Sequence, residues 1–138
     1  MKRESPFRAL SARVVRAMRE VSADLTEHGV PHALMGGCAV GVYARPRATT
    51  DVDFLIASSA QHDGGRLLGS KVKSVTFERK GVTVGLLFPQ RHERFLDAVI
   101  TTAPVVDGVP ALPYEALTYL KLVGERRRDQ DDVIALVE

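Results

Sequence analysis

Two neighbouring stretches, Met35-Gly36-Gly37-Cys38-Ala39-Val40 and Arg47-Ala48-Thr49-Thr50-Asp51-Val52-Asp53-Phe54-Leu55-Ile56, decide how the rest of the chain is read. In the second, Val52, Phe54, Leu55 and Ile56 are apolar and β-prone, so it reads as a strand. Residues two apart on a strand project from one face, which brings the carboxylates of Asp51 and Asp53 together. Like charges held that close repel, and burying them unpaired costs several kcal/mol. A shared cation resolves the conflict, and hard oxygen donors favour Mg²⁺ or Mn²⁺. In the first stretch the glycine pair follows the apolar run Ala33-Leu34-Met35 and precedes a short helix expected from Cys38 to Tyr43. Glycines at such a junction let backbone N–H groups close on a phosphate at the helix N-terminus. A phosphate cradle followed by a metal site suits a nucleoside triphosphate.

The chain has 138 residues, enough for one domain (1–138) around a single core. Its 45% hydrophobic and 26% charged residues are ordinary for a soluble globular protein. The net charge of +2 is unevenly spread: Lys2, Arg3, Arg8, Arg13, Arg16 and Arg19 face only Glu4 and Glu20 in the first twenty residues. Such a basic helix could meet phosphates, and the plainer reading is a solvated face. An RNA-binding module built on these arginines would bind in a strongly salt-dependent way, indifferent to Asp51 and Asp53. With no Trp, five Phe and three Tyr, the sequence offers no support for base stacking.

Cys38 is the only cysteine, so no intramolecular disulfide forms; a small buried thiol and a cytoplasmic location are expected. No run reaches the roughly 18 apolar residues of a membrane helix. The charged start does not read as a secretory signal. His28, His32, His62 and His92 do not fall at zinc-ligand spacing with one another or with Cys38.

Taken in order, Ser5-Pro6 predicts a helix start, and Phe7, Leu10, Val14, Met18, Val21 and Leu25 predict an amphipathic helix over about 6–28, closed by Gly29. Val30–Met35 reads as a strand and 44–47 as a loop into the Asp-x-Asp strand. The polar run from Ser58 to Ser70, with Asp63-Gly64-Gly65, reads as a loop. Lys71–Glu78 and Val82–Phe88 flank Arg79-Lys80-Gly81 as a β-hairpin. A helix over 91–99 and a short strand over 100–106 complete the core, about 30–106. A helical region, about 112–138, opens at Pro113 and carries the stripe Leu117, Leu120 and Val123.

The spacing of Gly36-Gly37 and Asp51-Val52-Asp53 resembles the nucleotidyltransferase superfamily of polymerase-beta-like fold. The pattern Arg47, Thr49, Asp51, Val52, Asp53 is similar to that of minimal and abortive-infection-type bacterial members. The resemblance is tight over Gly36 to Asp53 and looser over roughly 30–137. It implies an α+β (mixed α/β) fold, a small mixed β-sheet flanked by helices. It also implies metal-dependent transfer of an NMP from an NTP to a hydroxyl on RNA, protein or a small molecule. On that resemblance Asp51 and Asp53 hold Mg²⁺ or Mn²⁺, Gly36 and Gly37 cradle the β,γ-phosphates, Arg47 and Thr49 assist nucleotide binding, and Lys121 approaches the site from the last helical region. A helical protein partner is also implied.

A third carboxylate is expected in such a site on a run matching Thr83-Val84-Gly85-Leu86-Leu87, where this chain has Gly85. Glu78 is the candidate replacement as a metal ligand, and hairpin register decides. A two-residue loop at Lys80-Gly81 pairs Glu78 with Thr83 and puts it on Gly85's face; a three-residue loop turns it to the other. The alternative to an active enzyme is a degenerate nucleotidyltransferase fold that binds a nucleotide or a partner, such as one half of a toxin–antitoxin pair.

Overall fold

The first helix, α1 (Ala12–Glu27), starts where a side chain satisfies its free backbone donors: the Ser11 hydroxyl oxygen accepts from the Val14 N–H at 3.2 Å. In a computed structural model of the chain, the residues described are 5–44, 49–60 and 74–123. The expected start at Ser5-Pro6 is therefore corrected by about two turns. Ser5 is committed elsewhere, accepting from the Phe7 N–H at 3.1 Å and donating to Asp107 Oδ2 at 2.6 Å. Phe7 reaches the core from this turn rather than from a helical one. At the other end Gly29 takes φ +68°, and the N–H groups of Gly29 and Val30 close on the carbonyls of Thr26 and Leu25 at 3.0 and 2.8 Å. This is the glycine stop that the sequence signals.

Four strands form a mixed sheet: β1 (His32–Met35), β2 (Asp51–Ile56), β3 (Ser74–Arg79) and β4 (Val82–Leu87), in the order β1-β2-β4-β3. Pairing is antiparallel for β1 with β2, parallel for β2 with β4 and antiparallel for β4 with β3. Val14, Ala17, Met18 and Val21, at positions i, i+3, i+4 and i+7, form the buried stripe of α1. The face of the sheet carrying His32, Leu34, Phe54, Ile56 and Val84 lies toward this helix. Arg79 and Lys80 at the β3–β4 turn pair with Asp24 and Glu20 of α1 at 2.9 and 3.0 Å. The opposite face carries Asp51, Asp53 and Gly85.

Helix α2 (Gly36–Tyr43) follows β1 directly and begins two residues before the expected Cys38. After β4, the helix expected over 91–99 is instead a 3₁₀ turn at Arg91–Glu93 and then α3 (Leu96–Thr101). The strand expected from Ile100 is corrected: Leu96 and Ile100, one turn apart, are both buried on α3, and that packing outweighs the β-propensity of the Val-Ile-Thr-Thr run. Past Pro104 only Val105–Val106 (β5) extends, pairing with Val109–Pro110 (β6). Asp107 and Gly108 between them take φ 50° and 86°, the double positive φ of a tight hairpin turn. Helix α4 (Tyr114–Leu122) then packs beside α2, the Tyr43 hydroxyl donating to the Leu112 carbonyl at 3.0 Å. Ser58–Ala60 is helical. These three residues depart from the loop expected over Ser58–Ser70; the rest of that loop, the start of the hairpin at 71–73 and the chain from Gly124 onward lie outside the described residues.

One buried polar contact fixes the seam between α1 and β1. His32 Nδ1 lies 2.9 Å from the Val30 carbonyl, which can only accept, so Nδ1 carries the proton. Nε2 then accepts from the Ser22 hydroxyl at 2.7 Å, and the ring meets Phe54 edge-on. Burial lowers the pKa of His32 below its ordinary 6.5, so the unfolded chain takes up the proton first as pH falls. This contribution to stability is complete above pH 6.5 and is lost as pH drops through the lowered folded value. The melting temperature of the wild type should fall between pH 7 and 5 by more than that of His32→Leu; equal slopes would disprove the assignment.

Candidate active site

The carboxylates of Asp51 and Asp53 leave the first half of β2 on one face, Asp51 exposed and Asp53 half-buried. Register places Asp53 between Met35 on β1 and Gly85 on β4, and Asp51 beside Thr83. Gly36 opens α2 at φ +70°, a conformation that L side chains rarely adopt, and a Cβ there would stand 3.0 Å from Asp53 Oδ2. A Cβ at Gly85 would approach Asp53 Oδ1 more closely than real Cβ atoms come to any neighbour. The Asp53 carboxylate thus occupies a slot that two glycines leave open. Gly37 follows, half-buried, in the first turn of α2.

Across the slot, Met35, Gly36, Asp53, Leu87, Leu117 and Lys121 line a cleft of about 170 Å³. Lys121 of α4 therefore shares a cavity with Asp53 and the first glycine. Leu117 and Leu120 also reach this cleft, although their spacing alone reads as a core stripe. Thr49 is placed elsewhere, in a second cleft with Thr50 and Arg13, and Arg47 lies outside the described residues.

The hairpin takes its two-residue loop: Lys80 and Gly81 have φ 52° and 81°, Glu78 pairs with Thr83 and Thr76 with Gly85. Glu78 accordingly shares the face of Asp51 and Gly85. Thr83 stands between it and Asp51, two strand spacings apart, roughly 10 Å at Cα. Among the described residues no three His, Cys, Asp or Glu side chains lie close enough together to hold one metal ion. Asp51 and Asp53 share one face of β2, and Glu78 lies on that face two strands away.

Cys38 is buried, its Sγ 3.5 Å from the Asp51 carbonyl oxygen, and burial together with the charges of Asp53 and Asp51 pushes its pKa up to about 12. At pH 8 roughly one thiol in ten thousand is then ionised. Cys38 should resist iodoacetamide in the native protein and react on unfolding in urea; rapid native labelling would show that the thiol is not held in this environment. The oxygen donors of the two carboxylates on one face of β2 suit a hard divalent cation.

No family model matches the sequence, and no curated protein matches it. The structure is similar to a solved nucleotidyltransferase-like protein from Paracoccidioides brasiliensis, with a TM-score of 0.56 and 18% identity over 92% of this chain and 76% of the other. It is also similar to the antibiotic-resistance factor ANT(2'')-Ia, with a TM-score of 0.50 and 14% identity over 90% of this chain and 83% of the other. The chain has a nucleotidyltransferase-like α+β fold. Among the described residues no helix is long and apolar enough to cross a membrane.

Proposed function

We propose that the chain is a metal-dependent nucleotidyltransferase that moves a nucleoside monophosphate from an NTP to a hydroxyl group. The observation carrying this reading is the meeting of Asp53, the glycine turn at Gly36 and Lys121 in one cleft, with Asp51 on the same face of β2. The fold it shares with the nucleotidyltransferase-like protein supports it.

In this reading Asp51 and Asp53 hold Mg²⁺ or Mn²⁺. When bound, such an ion offsets triphosphate charge and eases ionisation of the acceptor hydroxyl. The backbone N–H groups at Gly36 and Gly37 hold the β,γ-phosphates, and the Lys121 ammonium balances their charge. The acceptor oxygen bonds to the α-phosphorus as the bond to the β-phosphate bridging oxygen breaks, releasing pyrophosphate. The hydroxyl proton passes to the carboxylate pair. Leu87, Leu117 and Leu120 restrict water around the charged groups.

A second reading rests on Gly85 and on the absence, among the described residues, of a third carboxylate grouped with Asp51 and Asp53: nucleotide or partner binding without transfer, as in one component of a toxin–antitoxin pair with a helical partner. Calorimetry of NTP with Mg²⁺, Mn²⁺ or EDTA, followed by incubation with labelled NTP and candidate acceptors, separates the two. Metal-dependent binding with label transfer supports the enzyme. Metal-dependent binding without transfer supports the second reading, and absence of binding overturns nucleotide use altogether.

A further inference from the structure

A second cleft, of about 380 Å³, opens where the first turn of α1, the approach to β2 and the β3–β4 turn meet. Its wall is mixed: Leu10, Val14 and Val82 supply apolar surface, while Thr49, Thr50 and Arg13 supply polar groups. Val14 and Val82 are buried in the core, so the apolar part has a firm base. Three basic side chains around α1 are engaged: Arg19 with Asp107, Arg79 with Asp24 and Lys80 with Glu20, at 2.9, 2.9 and 3.0 Å. Arg13 has no such partner among the described residues. Its guanidinium instead lies against Gly81, where a Cβ would come within 3.2 Å of Nη1. The left-handed glycine of the hairpin turn thus leaves space for a cation at the mouth of an apolar cleft.

We propose that this cleft binds a small amphiphilic anion, a carboxylate or phosphate carried on a compact apolar body. The planar fork of Arg13 suits either anion through paired N–H donors. Thr49 adds a hydroxyl beside it, while the Thr50 hydroxyl donates to Asp51 Oδ1 at 3.4 Å, and Ala9 and Leu10, above a floor of Val14 and Val82, take the apolar body. The site uses a cleft other than the nucleotide cleft, the two being linked where Thr50 donates to Asp51, and its argument from Arg13 holds whether or not the chain transfers nucleotides.

The test is a titration of the ¹⁵N-labelled full chain, at low ionic strength, with sodium benzoate, phenyl phosphate and the neutral control benzyl alcohol. At least one of the two anions should shift the amides of Arg13, Thr49, Thr50, Gly81 and Val82 saturably, and which of them does so identifies the preferred headgroup. Arg13→Gln should weaken that binding about tenfold or more. Arg13 is exposed, and an unchanged melting temperature checks that the variant remains folded. The proposal is overturned if neither anion gives saturable shifts, if Arg13→Gln binds undiminished, or if benzyl alcohol binds as well as the anions.

Discussion

Asp53→Asn is expected to remove metal-dependent NTP binding, weakening it by roughly 10²–10³ or more, while leaving the fold intact. Asparagine has nearly the shape of aspartate and still fits between Gly36 and Gly85, so what changes is charge. A site resting on two carboxylates loses half of its anionic donors in one step. Asp51→Asn should act in the same direction, and the pair of changes together should add little, because either alone removes the shared cation. Calorimetry with and without Mn²⁺ checks both variants. NTP binding that persists unchanged in Asp53→Asn would show that the carboxylates are structural and would remove the central support of the transferase reading.

Gly85→Asp should destabilise the metal-free protein by about 2 kcal/mol or more, roughly 5–10 °C in melting temperature, rather than restore a third ligand at no cost. The reason is the occupant of the slot: Asp53 Oδ1 already stands where the new Cβ would go, and the added carboxylate brings a like charge beside it. Gly85→Ala separates the two effects, since alanine adds the collision without the charge. Mn²⁺ should recover much of the loss in Gly85→Asp and little of it in Gly85→Ala, because only the former gains an oxygen donor. Thermal melts of both variants with and without Mn²⁺ decide the matter. If Gly85→Asp melts with the wild type in EDTA, Asp53 does not depend on this slot.

Much of the layout of the candidate site was legible in the sequence because its signals are local. The alternation through Asp51-Val52-Asp53 and the glycines at a strand-to-helix junction need no knowledge of distant residues. The Lys80-Gly81 turn was locally ambiguous; pairing along the whole of β3 and β4, with Arg79 and Lys80 engaged by α1, accompanies the shorter loop. What was not legible depends on non-local partners. Ser5-Pro6 satisfies the rules for a helix start as well as Leu10-Ser11-Ala12 does, yet Ser5 bonds to Asp107, more than a hundred residues away. The Asp53–Gly85 relation comes from the parallel register of β2 and β4 and has no signature within either strand. The placement of Thr49 with Arg13 likewise arises only when the first turn of α1 meets the approach to β2. By contrast, the Asp107-Gly108 pair between Val-Val and Val-Pro was a readable hairpin signal that the strand expectation over 100–106 passed over.

The strand bearing the two aspartates is interior to the sheet, paired on one side with β1 and on the other with β4. Val52, Phe54, Leu55 and Ile56 bury its remaining length. The spacing between the acidic groups is consequently set during folding, and an incoming ligand need not organise the backbone that bears them. Such preorganisation spares binding the entropy of ordering that segment. The free energy of association can then go toward desolvating the charges that meet there.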